Sequence, residues 1–354
     1  MGDRIEALRE KFSCRNLDGF LIMNVKNMQY FTNFSGGSAL LIPEDGDCIL
    51  FVYSVNFEAA KEYARDVCVE LLRIGEDLEE ILSRRIMSLG LERIGFDTLR
   101  ADSYLKIKKS LKKRALETGD SMVWDLRKVK DESELQFMME AAKLASRAME
   151  KAVEILKPGL REREVAAEIE YEMRKAGSEG FAFESIVASG LNSSFPHGGC
   201  GERKMKNGDL VVIDIGARVQ GYCADLTRTF VIGKPSAKQS EVYRVVEEAQ
   251  RIAIERIHPG VEAKEVDKKA RSLIESKGYG EYFVHNLGHG VGLDVHEPPT
   301  IGPRSTDTLS YGNTITIEPG IYIPGFGGVR IEDTLAVLNG KTVKLTKTPI
   351  FPLV

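Results

Sequence analysis

Apolar and polar positions alternate along the first part of the chain in a way that is typical of mixed helices and strands. Short apolar runs bounded by turn residues predict strands, and apolar residues spaced three and four apart predict helices. The predicted strands are residues 19–23, 39–42, 48–52, 67–72 and 93–97, and the predicted helices are residues 4–12, 55–64, 78–88 and 103–111. The polar run 43–47 indicates a hairpin turn. The pattern therefore predicts a compact α/β domain over residues 1–124.

The pattern changes after the only tryptophan, Trp124. Acidic residues from Asp131 onward open a long amphipathic helix that extends to about Leu156. Beyond it we predict helices at residues 241–257 and 264–276, and strands at residues 211–216, 227–232, 315–317 and 329–337. We therefore place a second domain at residues 125–354. No apolar run approaches the ~20 residues that a membrane span needs, so no membrane partner is expected.

Two parts of this second domain repeat each other. The sequence KPGLREREV at residues 157–165 resembles HPGVEAKEV at residues 258–266, and GDLVVID at 208–214 resembles GNTITIE at 312–318. Each copy has a helix, a Pro-Gly, a second helix and an apolar strand that ends in a carboxylate. A further carboxylate follows each strand. Duplicated halves of this kind usually pack face to face about a pseudo-twofold axis, which would bring together Asp214, Asp225, Glu318 and Glu332.

Four converging carboxylates in an apolar setting are costly unless a cation lies between them. The repeat therefore predicts a metal-dependent enzyme. Two other interpretations remain open at this point: Asp214 can be a turn or capping residue, and Arg330 can form a purely structural ion pair with Glu332, which shares its face of the predicted strand 329–337.

The histidines add to the case for a reactive centre. All five lie after residue 196, and three of them, His285, His289 and His296, fall within a glycine-rich stretch of twelve residues. Glycines let the backbone pass close to other groups. The prolines after His296 and the absence of a second histidine nearby exclude a helical zinc-protease motif.

The composition limits which binding partners and which cellular compartment we expect. The net charge of −4 gives no electrostatic case for nucleic acid. The five cysteines are odd in number, widely spaced and without a Cys-x-x-Cys pair, which favours a reducing, cytoplasmic location and no disulfide framework.

Together these residues resemble the site of the pita-bread metallopeptidases, a family that includes methionine aminopeptidase, Xaa-Pro aminopeptidase, prolidase and creatinase. The resemblance covers the whole chain. It implies an α/β (α+β) fold, with a creatinase/prolidase-like N-terminal domain at 1–124 and a pita-bread catalytic domain at 125–354. The family's order of metal ligands falls on Asp214, Asp225, His289, Glu318 and Glu332. Its substrate-contacting histidines fall on His197, His285 and His296, and its carboxylate-steadying arginine falls on Arg330.

The resemblance also implies a cofactor and a mechanism. One imidazole and four carboxylates form an oxygen-rich set for two divalent ions per chain, which favours Mn or Co, with Zn or Fe as alternatives. Asp225 and Glu332 would bridge the ions, and a shared water would become a hydroxide nucleophile near neutral pH. Glu318 would carry the proton to the leaving nitrogen, and His197 and His296 would stabilise the oxyanion.

The extra N-terminal domain disfavours methionine aminopeptidase, and the full ligand set disfavours creatinase and metal-free binding proteins on this fold. We therefore expect a proline peptidase that acts on a small peptide with proline in second position, most simply an Xaa-Pro dipeptide, and that forms a homodimer. Small prolidases tend to carry an Arg where this chain has Thr300, and the nearest Arg is Arg304. Xaa-Pro aminopeptidase activity on longer peptides therefore remains the alternative.

Overall fold

The computed structural model describes residues 2–338 and 340–349. The chain divides into two compact units, Met1–Arg127 and Lys128–Val354. Both units mix helices with strands, in agreement with the predicted α/β (α+β) class. Within the described ranges, no helix is long and apolar enough to cross a bilayer.

The first unit is built on one six-stranded sheet. Its strands are β1 (Gly19–Ile22), β2 (Ala39–Pro43), β3 (Ile49–Tyr53), β4 (Cys68–Leu72), β5 (Arg93–Phe96) and β6 (Ala115–Thr118), and its helices are α1 (Gly2–Arg9), α2 (Phe12–Arg15), α3 (Val25–Thr32), α4 (Ser54–Tyr63), α5 (Leu78–Ser88), α6 (Ala101–Leu111) and α7 (Asp120–Arg127). The strand order is β4-β3-β2-β1-β5-β6. The β2–β3 hairpin is antiparallel, as the sequence predicted, whereas β5 runs parallel to β1 and β6.

The second unit contains four long helices and several small sheets. The helices are α8 (Glu132–Ile155), α9 (Glu162–Lys175), α10 (Ala237–Glu255) and α11 (Ala263–Ser276), and short 3-10 turns lie at Gly190–Ser194 and Gly280–Tyr282. The strands are β7 (Ile186–Ser189), β8 (Leu210–Ile215), β9 (Arg218–Val219), β10 (Tyr222–Cys223), β11 (Leu226–Val231), β12 (Gly288–Gly290), β13 (Glu297–Ile301), β14 (Thr314–Ile317), β15 (Gly320–Ile323), β16 (Gly327–Arg330), β17 (Asp333–Leu338) and β18 (Lys341–Lys344).

The internal repeat of the sequence is visible in the topology of this unit. One sheet has the order β11-β8-β7, and the other has the order β13-β12-β14-β17-β18. Strands β7, β8 and β11 therefore correspond to β12, β14 and β17. The Pro-Gly turns also match: the Gly159 amide donates to the Met205 carbonyl and the Gly260 amide to the Leu309 carbonyl. Both glycines adopt a positive φ, which other residues rarely tolerate.

Each half buries its own apolar core between a helix pair and a sheet. Helices α8 and α9 pack on β8 and β11 through Met149, Ile169, Val211 and Phe230, among others. In the second half α10 and α11 pack on β14 and β17 through a separate cluster that includes Val246, Ile315 and Leu335. The strand ends that carry the carboxylates are thus fixed on both sides by packed apolar layers.

The prediction of one strand over residues 329–337 is wrong. Strand β16 ends at Arg330 and pairs with β15, whereas β17 begins at Asp333 and pairs with β14. Between them the Glu332 amide donates to the carbonyl of Thr227 on β11. The alternation of apolar residues continues across the break because Ile331 is itself fully buried. The sequence pattern therefore could not reveal that the chain passes from one sheet to another at Glu332.

Several short elements were not predicted, notably α3, α7, β6 and β7. Helix α3 does carry a local signal: the Asn24 side chain caps it by accepting from the amides of Lys26 and Asn27. The short strands β6 and β7, with the sequences ALET and IVAS, have no comparable signal because four residues are too few to distinguish a strand from a helix turn.

Candidate metal centre

A single cavity of about 1190 Å³ in the second unit brings the predicted site residues together. It is lined by all nine of them: Asp214, Asp225, His289, Glu318, Glu332, His197, His285, His296 and Arg330. Asp214 lies on β8 and Asp225 lies between β10 and β11, while Glu318 follows β14 and Glu332 lies between β16 and β17. Asp214 and Glu318, which are more than one hundred positions apart in sequence, thus line the same cavity.

Three of these residues are arranged as a metal-binding cluster. Asp225, His289 and Glu332 each offer a ligand atom, and the three atoms lie within 4.8 Å of one another. His289 Nε2 lies 3.2 Å from Glu318 Oε1 and 3.7 Å from Asp225 Oδ2. Asp214 lies in the same cavity, but one of its oxygens already accepts a hydrogen bond from Arg330 at 2.5 Å.

Two buried oxygens of this site have no hydrogen-bond partner among the described residues: Oδ1 of Asp214 and Oδ1 of Asp225. An unsatisfied buried acceptor costs about 1–3 kcal/mol, and a charged one costs more. Carboxylate oxygens together with one imidazole nitrogen are suitable ligands for a hard divalent cation. The residues present therefore fit a divalent metal site.

The imidazole of His289 is oriented for metal binding. Its Nδ1 lies 3.0 Å from the carbonyl oxygen of Gly290. A carbonyl can only accept, so Nδ1 carries the proton and Nε2 presents its lone pair to the cluster. Gly288, next to His289, allows the backbone to pass close to Thr316, since a Cβ at position 288 would lie 2.0 Å from the carbonyl oxygen of Thr316.

Two threonines hold the carboxylates in place from behind. The Thr227 hydroxyl donates to Glu332 at 2.6 Å and accepts from Nε of Arg330 at 3.1 Å. The Thr316 hydroxyl donates to Glu318 at 3.2 Å and accepts from the His289 amide. Such outer partners orient metal ligands and are needed for metal affinity.

Arg330 is the buried cation of the site. Besides Asp214 and Thr227, it donates to the hydroxyl of Tyr322 at 2.8 Å and to the carbonyl of Pro196 at 3.1 Å. Its guanidinium thus donates to four different acceptors. It therefore compensates the charge of Asp214 and ties the chain around Pro196 to the cavity.

The other ionisable groups of the site shift one another's pKa values. Burial, followed by repulsion from neighbouring carboxylates, raises the pKa of Asp225 and of Glu332 well above the ordinary range. Burial also acts to raise the pKa of Glu318, but the hydrogen bond and charge of His289 lower it to about 2. Glu318 in turn raises the pKa of His289 against the opposing effect of burial. The raised pKa values of Asp225 and Glu332 thus reflect the cost of burying their charges beside other carboxylates.

The other three histidines surround the cluster at different depths. His285 lies 3.0 Å from the Tyr322 hydroxyl, and burial lowers its pKa. His296 lies with its ring centre 4.2 Å from that of His289, and burial and His289 both lower its pKa. His197 is exposed in the cavity wall. Imidazoles at these positions can donate hydrogen bonds to a bound substrate.

Sequence reasoning missed four residues that support this site: Thr227, Tyr322, Glu162 and Lys130. Lys130 forms a buried ion pair at 2.6 Å with Glu297, which follows His296. A polar residue inside an apolar strand was the available signal for Thr227. For Lys130 no local signal exists, because its partner lies 167 residues away.

Comparison with known proteins agrees with this arrangement. The sequence model of metallopeptidase family M24 matches residues 136–339, and that of the creatinase/prolidase N-terminal domain matches residues 4–129. An Xaa-Pro dipeptidase of Pyrococcus furiosus is 41% identical over 351 residues, which cover 98% of this chain and 99% of the relative.

Solved structures are similar over nearly the whole chain. An Xaa-Pro dipeptidase from Bacillus anthracis is 37% identical, with a TM-score of 0.94 and coverage of 99% of both chains. An X-Pro aminopeptidase from Thermotoga maritima MSB8 is also 37% identical, with a TM-score of 0.87 and coverage of 96% of this chain and 98% of the other. The predicted fold class and family resemblance are confirmed by these similarities.

The cluster predicts different consequences for two substitutions. Glu332→Ala removes an oxygen donor from the cluster and should abolish tight binding of Mn²⁺. His296→Ala leaves the cluster intact and should retain the metal while lowering kcat on the order of 10²-fold, as expected for loss of an oxyanion donor. Metal analysis of the purified proteins and steady-state kinetics test both effects. Equal metal loss in the two variants would contradict the assigned roles.

The raised pKa values predict that metal binding releases protons. Asp225 and Glu332 must lose their protons before they coordinate a cation, so metal affinity should rise with pH. Calorimetric titration of the stripped protein with Mn²⁺ at pH 6.5, in buffers of different ionisation enthalpy, measures the protons released. We expect heats that depend on the buffer, and a smaller dependence for Glu332→Gln. Identical heats in all buffers would refute the prediction.

Proposed function

Since the chain belongs to metallopeptidase family M24, we propose that it is a metal-dependent proline peptidase that hydrolyses Xaa-Pro dipeptides. The observation that carries this proposal is the convergence of Asp225, His289 and Glu332, with Glu318 and Asp214 beside them, in one cavity. The full-length similarity to a protein named Xaa-Pro dipeptidase supports the substrate class.

The chain binds divalent metal, as expected for its family and its ligand cluster. We assign two ions per chain, preferably Mn or Co, to Asp214, Asp225, His289, Glu318 and Glu332. We also keep the predicted domains at 1–124 and 125–354, the homodimer and the cytoplasmic location as proposals. None of the five cysteines forms a disulfide, which suits the last of these.

Divalent ions held by Asp214, Asp225, His289, Glu318 and Glu332 would lower the pKa of a water towards neutrality and polarise the scissile carbonyl. Proton transfer, oxyanion stabilisation and positioning are carried out by side chains of the protein. Glu318 accepts the proton of the attacking water and delivers it to the leaving proline nitrogen. His296 and His197 donate hydrogen bonds to the developing oxyanion. Arg330 holds Asp214 in a fixed position throughout.

An Xaa-Pro bond lacks the N–H through which peptidases usually hold a substrate. Recognition must therefore come from the cavity walls and from the free ends of the peptide. A dipeptide carries its carboxylate directly beyond proline, and a cation is the suitable partner for it. Among the described residues that line the cavity, the only arginine or lysine is Arg330, which is already bound to Asp214 and Tyr322.

A second cavity of about 780 Å³ supplies two further arginines. It shares His285, Asn286 and Thr300 with the first and also contains Arg271 and Arg304. Arg271 is bound to both oxygens of Asp267 at 2.8 Å. Arg304 is exposed and makes no ion pair with any residue that the structure describes. We therefore assign Arg304 to the carboxylate of the dipeptide.

The second candidate is an Xaa-Pro aminopeptidase. The second cavity favours this activity because it has room for substrate residues beyond proline. Thr300, at the junction of the two cavities, carries no charge. The structural similarity to an X-Pro aminopeptidase is consistent with this alternative. A metal-free binding protein is the alternative of a different class, and it predicts no hydrolysis at all.

One assay separates the three alternatives. Chelated protein is reconstituted with Mn, Co, Zn or Fe and tested on Xaa-Pro and Xaa-Pro-Yaa at matched concentrations. We expect activity only with metal, highest with Mn or Co, and a higher kcat/KM for Xaa-Pro. A higher kcat/KM for Xaa-Pro-Yaa favours the aminopeptidase. Full activity after complete chelation would refute metal dependence, and cleavage of neither peptide would favour a binding protein.

The role of Arg304 gives a separate prediction. Arg304→Ala should raise KM for Xaa-Pro about tenfold, as expected for one exposed charge-assisted hydrogen bond, and leave Xaa-Pro-Yaa cleavage almost unchanged. Arg304→Lys should lie between, because lysine keeps the charge without the planar fork. Arg256→Ala, at the end of α10, is the matched control. An equal effect on both peptides would exclude carboxylate recognition by Arg304.

A further inference from the structure

Glu162 is a buried carboxylate in the cavity wall that the proposed reaction does not use. It is the first residue of α9 and has no exposed surface. It is not part of the metal-binding cluster. A buried carboxylate without a metal must be stabilised by hydrogen bonds, and its partners indicate what it does.

All partners of the Glu162 carboxylate lie on one stretch of chain. Oε1 accepts from the amide and the hydroxyl of Ser189, at 2.7 and 2.8 Å, and from the Asn192 side chain at 3.1 Å. Oε2 accepts from Asn192 at 3.2 Å and from the Gly201 amide at 3.0 Å. One side chain thus bonds residues on both sides of the segment 190–200, which we call the His197 loop.

The negative charge of Glu162 is balanced through one of these partners. The hydroxyl of Ser189 accepts a hydrogen bond from Arg203 at 2.6 Å while it donates to Glu162. Arg203 is itself held by both oxygens of Asp209, at 2.6 and 2.9 Å. The loop is therefore closed at its base by a charged network.

The opposite side of the His197 loop is attached to the catalytic residues. Pro196, next to His197, accepts from Arg330 through its carbonyl at 3.1 Å. The hydroxyl of Ser193 accepts from the Gly328 amide on β16 at 2.9 Å. His197 itself makes no hydrogen bond to any residue within the described ranges and is exposed in the cavity. Its position thus depends on how the loop is held.

We propose that Glu162 is a positioning residue that fixes the His197 loop and thereby places the His197 imidazole over the metal cluster. The role assigned to His197 rests on the proposed function. Loss of one or two hydrogen bonds at the loop base leaves the metal ligands untouched, since they lie on other elements. It frees the imidazole to move, and displacements of about 1 Å lower rates substantially.

The test compares Glu162→Gln with the control Glu164→Gln. Glutamine keeps the shape of Glu162 but presents an NH2 to donors that need an acceptor. Glu164 lies on the same helix, and its side chain bonds the Arg161 amide outside the loop. Asn192→Ala is a second variant, which removes two contacts from the loop side. It serves if Glu162→Gln fails to fold.

The first readout is amide exchange of the metal-loaded protein over residues 189–201. We expect exchange at least about tenfold faster in Glu162→Gln and Asn192→Ala, and unchanged in Glu164→Gln. Metal content should remain that of the wild type. Unchanged exchange in both loop variants would overturn the proposal. This readout needs no substrate, so it decides whether Glu162 holds the loop even if the proposed function fails.

The second readout is a double-mutant cycle with His197→Ala. Glu162→Gln should lower kcat for Xaa-Pro between about 10- and 100-fold, with little further loss when His197 is already alanine. KM should change less than kcat. A full additional loss in the His197→Ala background would show a general structural role for Glu162 and overturn its link to His197.

Discussion

The burial of four carboxylates around one cavity is the constraint to which the catalytic unit is fitted. Two of them have their own cation: Arg330 bonds Asp214, and His289 pairs with Glu318. Asp225 lies 3.7 Å from the imidazole of His289, and Glu332 accepts a hydrogen bond from the neutral hydroxyl of Thr227. Burial, followed by repulsion from neighbouring carboxylates, raises the pKa of both carboxyls. The missing positive charge is thus confined to the place where Asp225, Glu332 and His289 converge, which makes the protein selective for a cation there.

Carboxylates of like charge stay close together only if the backbone that carries them is rigid. A second buried network of hydrogen bonds holds the backbone around Glu332. Arg228 donates to the carbonyls of Thr227 and Glu332, and also to the carboxylate of Asp333 at 2.8 Å. Asp333 further accepts from Gln250 on α10 and from Lys344 on β18. The chain can leave one sheet at Arg330 and enter another at Asp333 only because this network satisfies the polar groups at the crossing. The break in the strand is therefore what aims Glu332 at the cavity.

The limits of sequence-based prediction follow from the same geometry. The repeat correctly paired the strands that carry Asp214 and Glu318, because both halves preserve a local pattern of apolar residues and glycines. It could not show the break at Glu332, since Ile331 continues the alternation. Nor could it find Lys130 or Glu162, whose partners are distant in sequence or are backbone amides of a loop. The periodicity of apolar residues indicates which side chains face the core, but it does not indicate which polar groups those side chains contact.

The directions of the pKa shifts differ among the histidines of the cavity, and this difference suits the proposed chemistry. Against the effect of burial, Glu318 raises the pKa of His289, whereas burial lowers the pKa of His285 and of His296. An imidazolium at His296, with its ring centre 4.2 Å from that of His289, would repel a metal bound by His289 and compete for the carboxylates. A neutral imidazole donates a hydrogen bond without this cost. His296 can therefore help to stabilise an oxyanion while the metal-binding cluster keeps its affinity for cations. The two functions thus coexist within one cavity.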